Sequence, residues 1–229
     1  MTDFSTLTAR DVADIALQRT DSLIRARRGG PISYRLWTRG FPWPLRAEAA
    51  LRRKSILAHA IGAAEHEWSE IEPYLPAGGA LCDIGCGHAF IDLVAWKHRR
   101  PRTISLIDIE TTRERYHDYH ATGAGYANLD SAKRFLLANG VPAESITVCN
   151  PRLNPLPCGP FDLIISLLSA GHHYPVAEYV PFVLQTLAPG GAFIFDMRRN
   201  TVQEKRLSGF RDVKLIHATP KSERVAALR

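Results

Sequence analysis

A chain of 229 residues, 45% hydrophobic and 23% charged, has the make-up of a soluble globular protein and enough length to bury a core without staples. Its four cysteines, Cys82, Cys86, Cys149 and Cys158, match no zinc spacing and form no disulfide framework, which argues against a secreted cystine-rich scaffold and for the cytoplasm. The net charge of +6 falls within residues 1–60, where eleven Lys/Arg stand against five Asp/Glu, so that segment suits an anionic partner.

Residues 5–27 carry Leu7, Val12, Ile15, Ala16, Leu23 and Ile24 at helical spacing, with Ser5 or Thr8 as the cap. The charges scattered through this stretch are unlike those of a signal peptide. Residues 29–44, GGPISYRLWTRGFPWP, read as a structured loop. Its Tyr34, Trp37, Phe41 and Trp43, set among arginines, are expected to pack a lid against the core or to stack on flat rings. Residues 45–72 predict one long helix with Ala50, Leu57, Ile61, Ala64 and Trp68 on its apolar side, ended by LPAGG at 75–79. Residues 1–75 are therefore read as a basic helical extension or lid, and residues 76–229 as the main domain.

From residue 80 the pattern changes. Apolar runs at 80–84, 103–109, 145–149, 161–168, 192–197, 211–218 and 223–228 alternate with helical segments. Such alternation predicts βαβ units and a doubly wound, Rossmann-like α/β sheet of seven strands. The last two runs are joined only by a short turn around Pro220, too short for a parallel crossover, so they are expected to close the sheet as an antiparallel hairpin. The longest charge-free stretch near the C-terminus, Tyr179–Phe195, contains two prolines and Gly190-Gly191 and reads as helix, turn and strand rather than a membrane span.

In an open α/β sheet the ligand sits at the carboxyl ends of the strands, so the turn after the first strand is the place to look. It reads Asp83-Ile84-Gly85-Cys86-Gly87-His88-Ala89, not G-x-G-x-x-G. An acid ahead of the glycines would oppose a pyrophosphate and suits a cationic ligand. The second strand ends in Asp108, with Glu110 two residues on; either acid can accept both hydroxyls of a ribose. The third strand ends in Asn150, whose oxygen can receive an adenine amino group.

The combination of DIGCGHA, LIDIE, FDLIIS and LAPGG at these spacings resembles the class I S-adenosylmethionine (SAM)-dependent methyltransferases, over residues 78–229. The resemblance implies a methyltransferase that uses SAM and releases S-adenosylhomocysteine. Asp83 and the Gly85-Cys86-Gly87 turn would cradle the methionine end, and Asp108 would hold the ribose. Asn150 stands where the family usually has an adenine-binding aspartate, and Ala89 stands in place of a third glycine.

An oxygen acceptor also needs a base. SLLSAGHHYP, residues 166–175, follows the fourth strand and offers His172 and His173. No Asn/Asp-Pro-Pro-Tyr follows that strand, which argues against methylation of adenine amino groups, and Pro157-Cys158 lies ahead of it as plain loop. His117 and His120 in the insertion RERYHDYHATGAGY, residues 113–126, lack an evident third ligand, so no metal is expected. The reading is transfer of a methyl group to a small-molecule acceptor, anionic in view of the basic extension, at oxygen. Two alternatives stand beside it: methylation of structured RNA docked on the extension, and a SAM-binding partner protein without turnover.

Overall fold

The computed structural model describes residues 1–19, 35–36, 41, 43–110, 119–120, 125, 127–201 and 208–229. The strands are β1 (Ala80–Ile84), β2 (Thr103–Ile107), β3 (Ile146–Cys149), β4 (Phe161–Ser166), β5 (Leu187–Arg198), β6 (Asp212–Ala218) and β7 (Ser222–Leu228). They form one sheet in the order β3-β2-β1-β4-β5-β7-β6. The first five run parallel, and β7 pairs antiparallel with both β5 and β6. The closing hairpin turns on Thr219, whose hydroxyl accepts from the Ser222 amide at 2.9 Å and the Lys221 amide at 3.2 Å.

All five residues of β1 are buried, as a central strand covered on both faces requires. Its alternation divides the core. Leu81 joins Leu163 and Ile165 in one apolar cluster, while Cys82 and Ile84 join Ile164, Phe193 and Phe195 in a second cluster on the opposite face. β1 lies between β2 and β4, so the strand order reverses there and opens a crevice at the carboxyl ends of β1 and β4.

Among the described residues the α-helices are α1 (Ala9–Gln18), α2 (Trp43–Leu51), α3 (Arg53–Ile71), α4 (Phe90–Arg99), α5 (Leu129–Ala138) and α6 (Val180–Thr186). A capping box starts α1: the Asp11 amide donates to the Thr8 hydroxyl at 3.2 Å, and the Thr8 amide donates to the Asp11 carboxylate at 2.7 Å. Val12, Ile15 and Ala16 of α1 and Ile56, Ala60, Ala64 and Trp68 of α3 lie in the same apolar cluster as Leu81, Leu93 and Val94. The helices of residues 1–75 thus share a core with the sheet.

Two elements differ from their sequence expectations. The single helix expected over 45–72 is two, interrupted at Arg52 (φ −103°, ψ 14°). There Arg53 turns inward and donates to the carbonyls of Phe4 and Leu7 at 2.7 and 2.8 Å, tying the bend to the N-terminal segment. β5 begins at Leu187 rather than 192, because Leu187 pairs with Phe161 before the register shifts across Pro189-Gly190-Gly191. The expected loop at 29–44, apart from residues 35–36, 41, 43 and 44, and His117 of the insertion lie outside the described residues.

Candidate functional site

The turn after β1 is built by its own strand neighbours. The amides of Gly85 and Cys86 both donate to the Ile107 carbonyl, at 2.7 and 3.2 Å, and the Gly87 amide donates to Asp108 Oδ2 at 3.1 Å. Gly85 sits at φ +79°, and a Cβ there would stand 1.8 Å from Ser169 Oγ, so the position needs glycine twice over. Ala89 adopts φ 57°, the left-handed conformation, at the entry to α4.

A cavity opens over this turn. Asp83, Gly85, Cys86, Gly87, Asp108 and His173 all line it. Of the residues singled out in the sequence, Asn150 and His172 do not. Asn150 is engaged elsewhere: its amide donates to Glu110 Oε2 at 3.0 Å, and its oxygen accepts from the Arg152 amide at 3.1 Å. Asp108, not Glu110, faces the cavity. The Asp108 carboxylate accepts from Gly87 through one oxygen and from the Glu110 amide, at 3.1 Å, through the other.

The loop after β4 is pinned from both sides. Ser166 donates its hydroxyl to the Ile84 carbonyl at 3.0 Å and accepts from the Ala170 amide at 2.9 Å. The amides of His172 and His173 both donate to the Ser169 carbonyl. The two rings stand edge to face, 4.9 Å apart. Burial, with Arg198 and Lys221 nearby, pushes the His172 imidazole down to about 4, so it is neutral at pH 7. Asp196 holds the same loop by accepting from the Leu168 amide at 3.0 Å, and Arg224 in turn grips both Asp196 oxygens at 2.8 and 2.9 Å.

Electrostatically the cavity favours cations. Burial, then Asp92, Asp108 and Glu67, push the Asp83 carboxyl well above its usual range. Asp92 is fully buried behind Asp83, and neither of its carboxylate oxygens has a hydrogen-bond partner, so the two acids disfavour each other's charge. Burial raises Asp92 to about 7, and raises Asp108 to about 6 against the hydrogen bonds it accepts from the Gly87 and Glu110 amides. Hydroxyls line the cavity as well. Ser169 Oγ lies 3.2 Å from the Tyr174 hydroxyl, and burial raises Tyr174 well above its usual value and Tyr179 to about 12. Both phenols stay protonated at neutral pH.

Gln18, Arg19 and Glu67 also line this cavity, and nothing local in the sequence announced them. Gln18 and Arg19 arrive because α1 packs across the glycine turn, and Glu67 comes from α3. His88 of the turn is 2% exposed, and its Nε2 lies 3.4 Å from Asp11 Oδ1. Its Nδ1 lies 3.4 Å from Gln18 Oε1. Burial raises the Asp11 carboxyl, but the nearby His88 ring and the hydrogen bonds from Thr8 outweigh it and hold the group well below the carboxylate range. Among the described residues no group of three or more His, Cys, Asp or Glu could hold a metal ion. No described helix is long and apolar enough to cross a membrane.

No family model and no curated protein matches the chain. Solved structures do. A methyltransferase from Pyrococcus furiosus superposes with a TM-score of 0.50 at 17% identity, over 72% of this chain and 82% of that one. An O-methyltransferase candidate from Nostoc punctiforme PCC 73102 gives 0.54 at 14% identity, over 98% of this chain and 70% of that one. At such identities the likeness concerns the fold, and with the strand order β3-β2-β1-β4-β5-β7-β6 the chain has the class I, Rossmann-like methyltransferase fold.

Proposed function

We propose that the protein is a SAM-dependent methyltransferase that acts at oxygen on a small-molecule acceptor. One observation carries this reading: Asp83 and Asp108, at the carboxyl ends of adjacent strands, face a single cavity over the Gly85–Gly87 turn. Three acids, Asp83, Asp108 and Glu67, line it, which opposes a dinucleotide pyrophosphate and suits a ligand bearing an ammonium and a sulfonium. Asp83 would take the ammonium. Asp108 would take the ribose hydroxyls, since each of its oxygens keeps a lone pair beyond the one already used.

The cofactor supplies an electrophilic methyl group, transferred by in-line displacement. The chain's own part is to align the acceptor, exclude water and remove a proton. His173 lines the cavity, and the acceptor's hydroxyl proton would pass to an imidazole nitrogen of His173. His172, pushed down to about 4 and outside the lining, holds a proton too weakly to be a good base. Tyr174 and Tyr179, held protonated, can donate hydrogen bonds to the acceptor but cannot deprotonate it.

An anionic acceptor would draw on the basic excess of residues 1–60. Arg52 pairs with Glu48 at 2.9 Å, and Arg53 is spent on backbone carbonyls. The test is a SAM-consumption screen against cell metabolites and total RNA, with product masses read out. The proposal expects a low-mass product heavier by one methyl group. Methylated RNA as the sole product would refute the small-molecule acceptor, and bound SAM without any product would refute catalysis.

A further inference from the structure

The amino-acid arm of SAM is a zwitterion. An acidic cavity can receive its ammonium but must repel its carboxylate unless a cation stands nearby. Among the described residues lining the cavity, Arg19 is the one Lys or Arg. It caps the C-terminal end of α1, where its own amide donates to the Ile15 carbonyl at 3.0 Å. The end of α1 lies against the glycine turn, because a Cβ on Gly87 would stand 3.0 Å from Gln18 Oε1.

The Arg19 guanidinium is already aligned. Nη1 and Nη2 donate to the two oxygens of Glu67 at 3.0 and 2.7 Å, a fork-to-fork pair. The two side chains are 20% and 12% exposed, so solvent screens the pair only in part. A guanidinium has five N–H groups, and this pair uses one from each of two nitrogens, which leaves three donors for a second carboxylate. Arg19 and Glu67 line the same cavity as Asp83, and the end of α1 that carries Arg19 lies against Gly87 of the turn that would hold the arm.

We propose that Arg19 receives the carboxylate of the cofactor's amino-acid arm, so that α1 completes the cofactor site instead of serving only the acceptor. This rests on the SAM reading of the cavity. It also gives residues 1–75, expected as a basic helical extension or lid, a part in the cofactor site.

The test is calorimetric titration of the full chain with SAM and with decarboxylated SAM, which keeps the sulfonium and the ammonium and lacks only the carboxylate. Wild-type protein should prefer SAM by roughly 10–100-fold, the range that charge-assisted hydrogen bonds supply. Arg19→Gln should reduce that preference to within about threefold while holding decarboxylated SAM nearly as well as wild type. Arg19→Lys, which keeps the charge and loses the fork, should fall between them, and it decides the matter by the same ratio if Arg19→Gln does not fold. An unchanged ratio in the variants overturns the proposal, as does an equal loss of both ligands, which would mark Arg19 as structural. If wild-type protein binds neither ligand, the cofactor reading itself fails and the proposal falls with it.

Discussion

Gly85→Ala is the sharpest perturbation of the turn. At φ +79° an L side chain costs about 1–2 kcal/mol. The added Cβ would also stand 1.8 Å from Ser169 Oγ and 2.4 Å from Ser169 Cβ, on a loop that Ser166, Asp196 and Arg224 hold in place. Overpacking of that kind costs about 1–3 kcal/mol. Together these predict a loss of roughly 2–5 kcal/mol, or a Tm lower by about 5–15 °C for a chain of this size. A double-mutant cycle with Ser169→Gly separates the parts: removing the Ser169 side chain should restore about 1–3 kcal/mol of overlap and leave the backbone strain. Ala89→Gly is the control in the same turn. It relieves a left-handed alanine at φ 57° but gives up a buried methyl and adds chain entropy, so it should stay within about 1 kcal/mol of wild type. Thermal melts of the four proteins and the control decide. A Gly85→Ala protein within a degree of wild type, or a cycle with no coupling, would refute this account of the turn.

Further predictions concern the acids, the buried ion pair and the base. Asp92 titrates near 7 in the folded chain against an ordinary 3.8, so the folded state holds the extra proton between those values. Stability of the ligand-free protein should therefore rise as pH is lowered from 8 to 6.5, with Asp83 adding in the same direction, while below 6.5 the neutral His172 opposes the trend; Asp92→Asn should flatten the rise, and a Tm that falls between pH 8 and 6.5 would contradict it. Arg224→Met strands Asp196, 2% exposed, without its partner and should cost about 3–5 kcal/mol in urea unfolding, largely recovered by adding Asp196→Asn; a loss under 1 kcal/mol would refute the pairing argument. With an acceptor in hand, His173→Ala should lower turnover by on the order of 10²–10⁴, and His172→Ala by less than about threefold; equal effects would remove the distinction between them.

The strands and the closing hairpin were legible because parallel strands buried on both faces print continuous apolar runs, and a turn around Pro220 leaves room only for a hairpin. The glycine turn and Asp108 were legible because their chemistry is local to two strand ends. The break at Arg52 was not, since neither glycine nor proline marks it; Arg53 reaches back to Phe4 and Leu7, nearly fifty residues away. The same holds for α1 against the turn, where Gln18 and His88 meet seventy residues apart. Which of His172 and His173 faces the cavity depends on hydrogen bonds to Ser169 and on Gly171 at φ +94°, backbone detail that residue types do not encode. Asn150 matched by position, yet its amide is taken by Glu110, a contact across the ends of two strands.

The central claim is that the cavity over Asp83 is built for SAM, and calorimetric titration of the ligand-free chain with SAM at pH 7.5 tests it most directly. The account predicts one site per chain, with affinity at least roughly tenfold weaker in folded Asp83→Ala and Asp108→Ala, about 1.4 kcal/mol each. Absence of binding at millimolar SAM, or wild-type affinity in both variants, would contradict it.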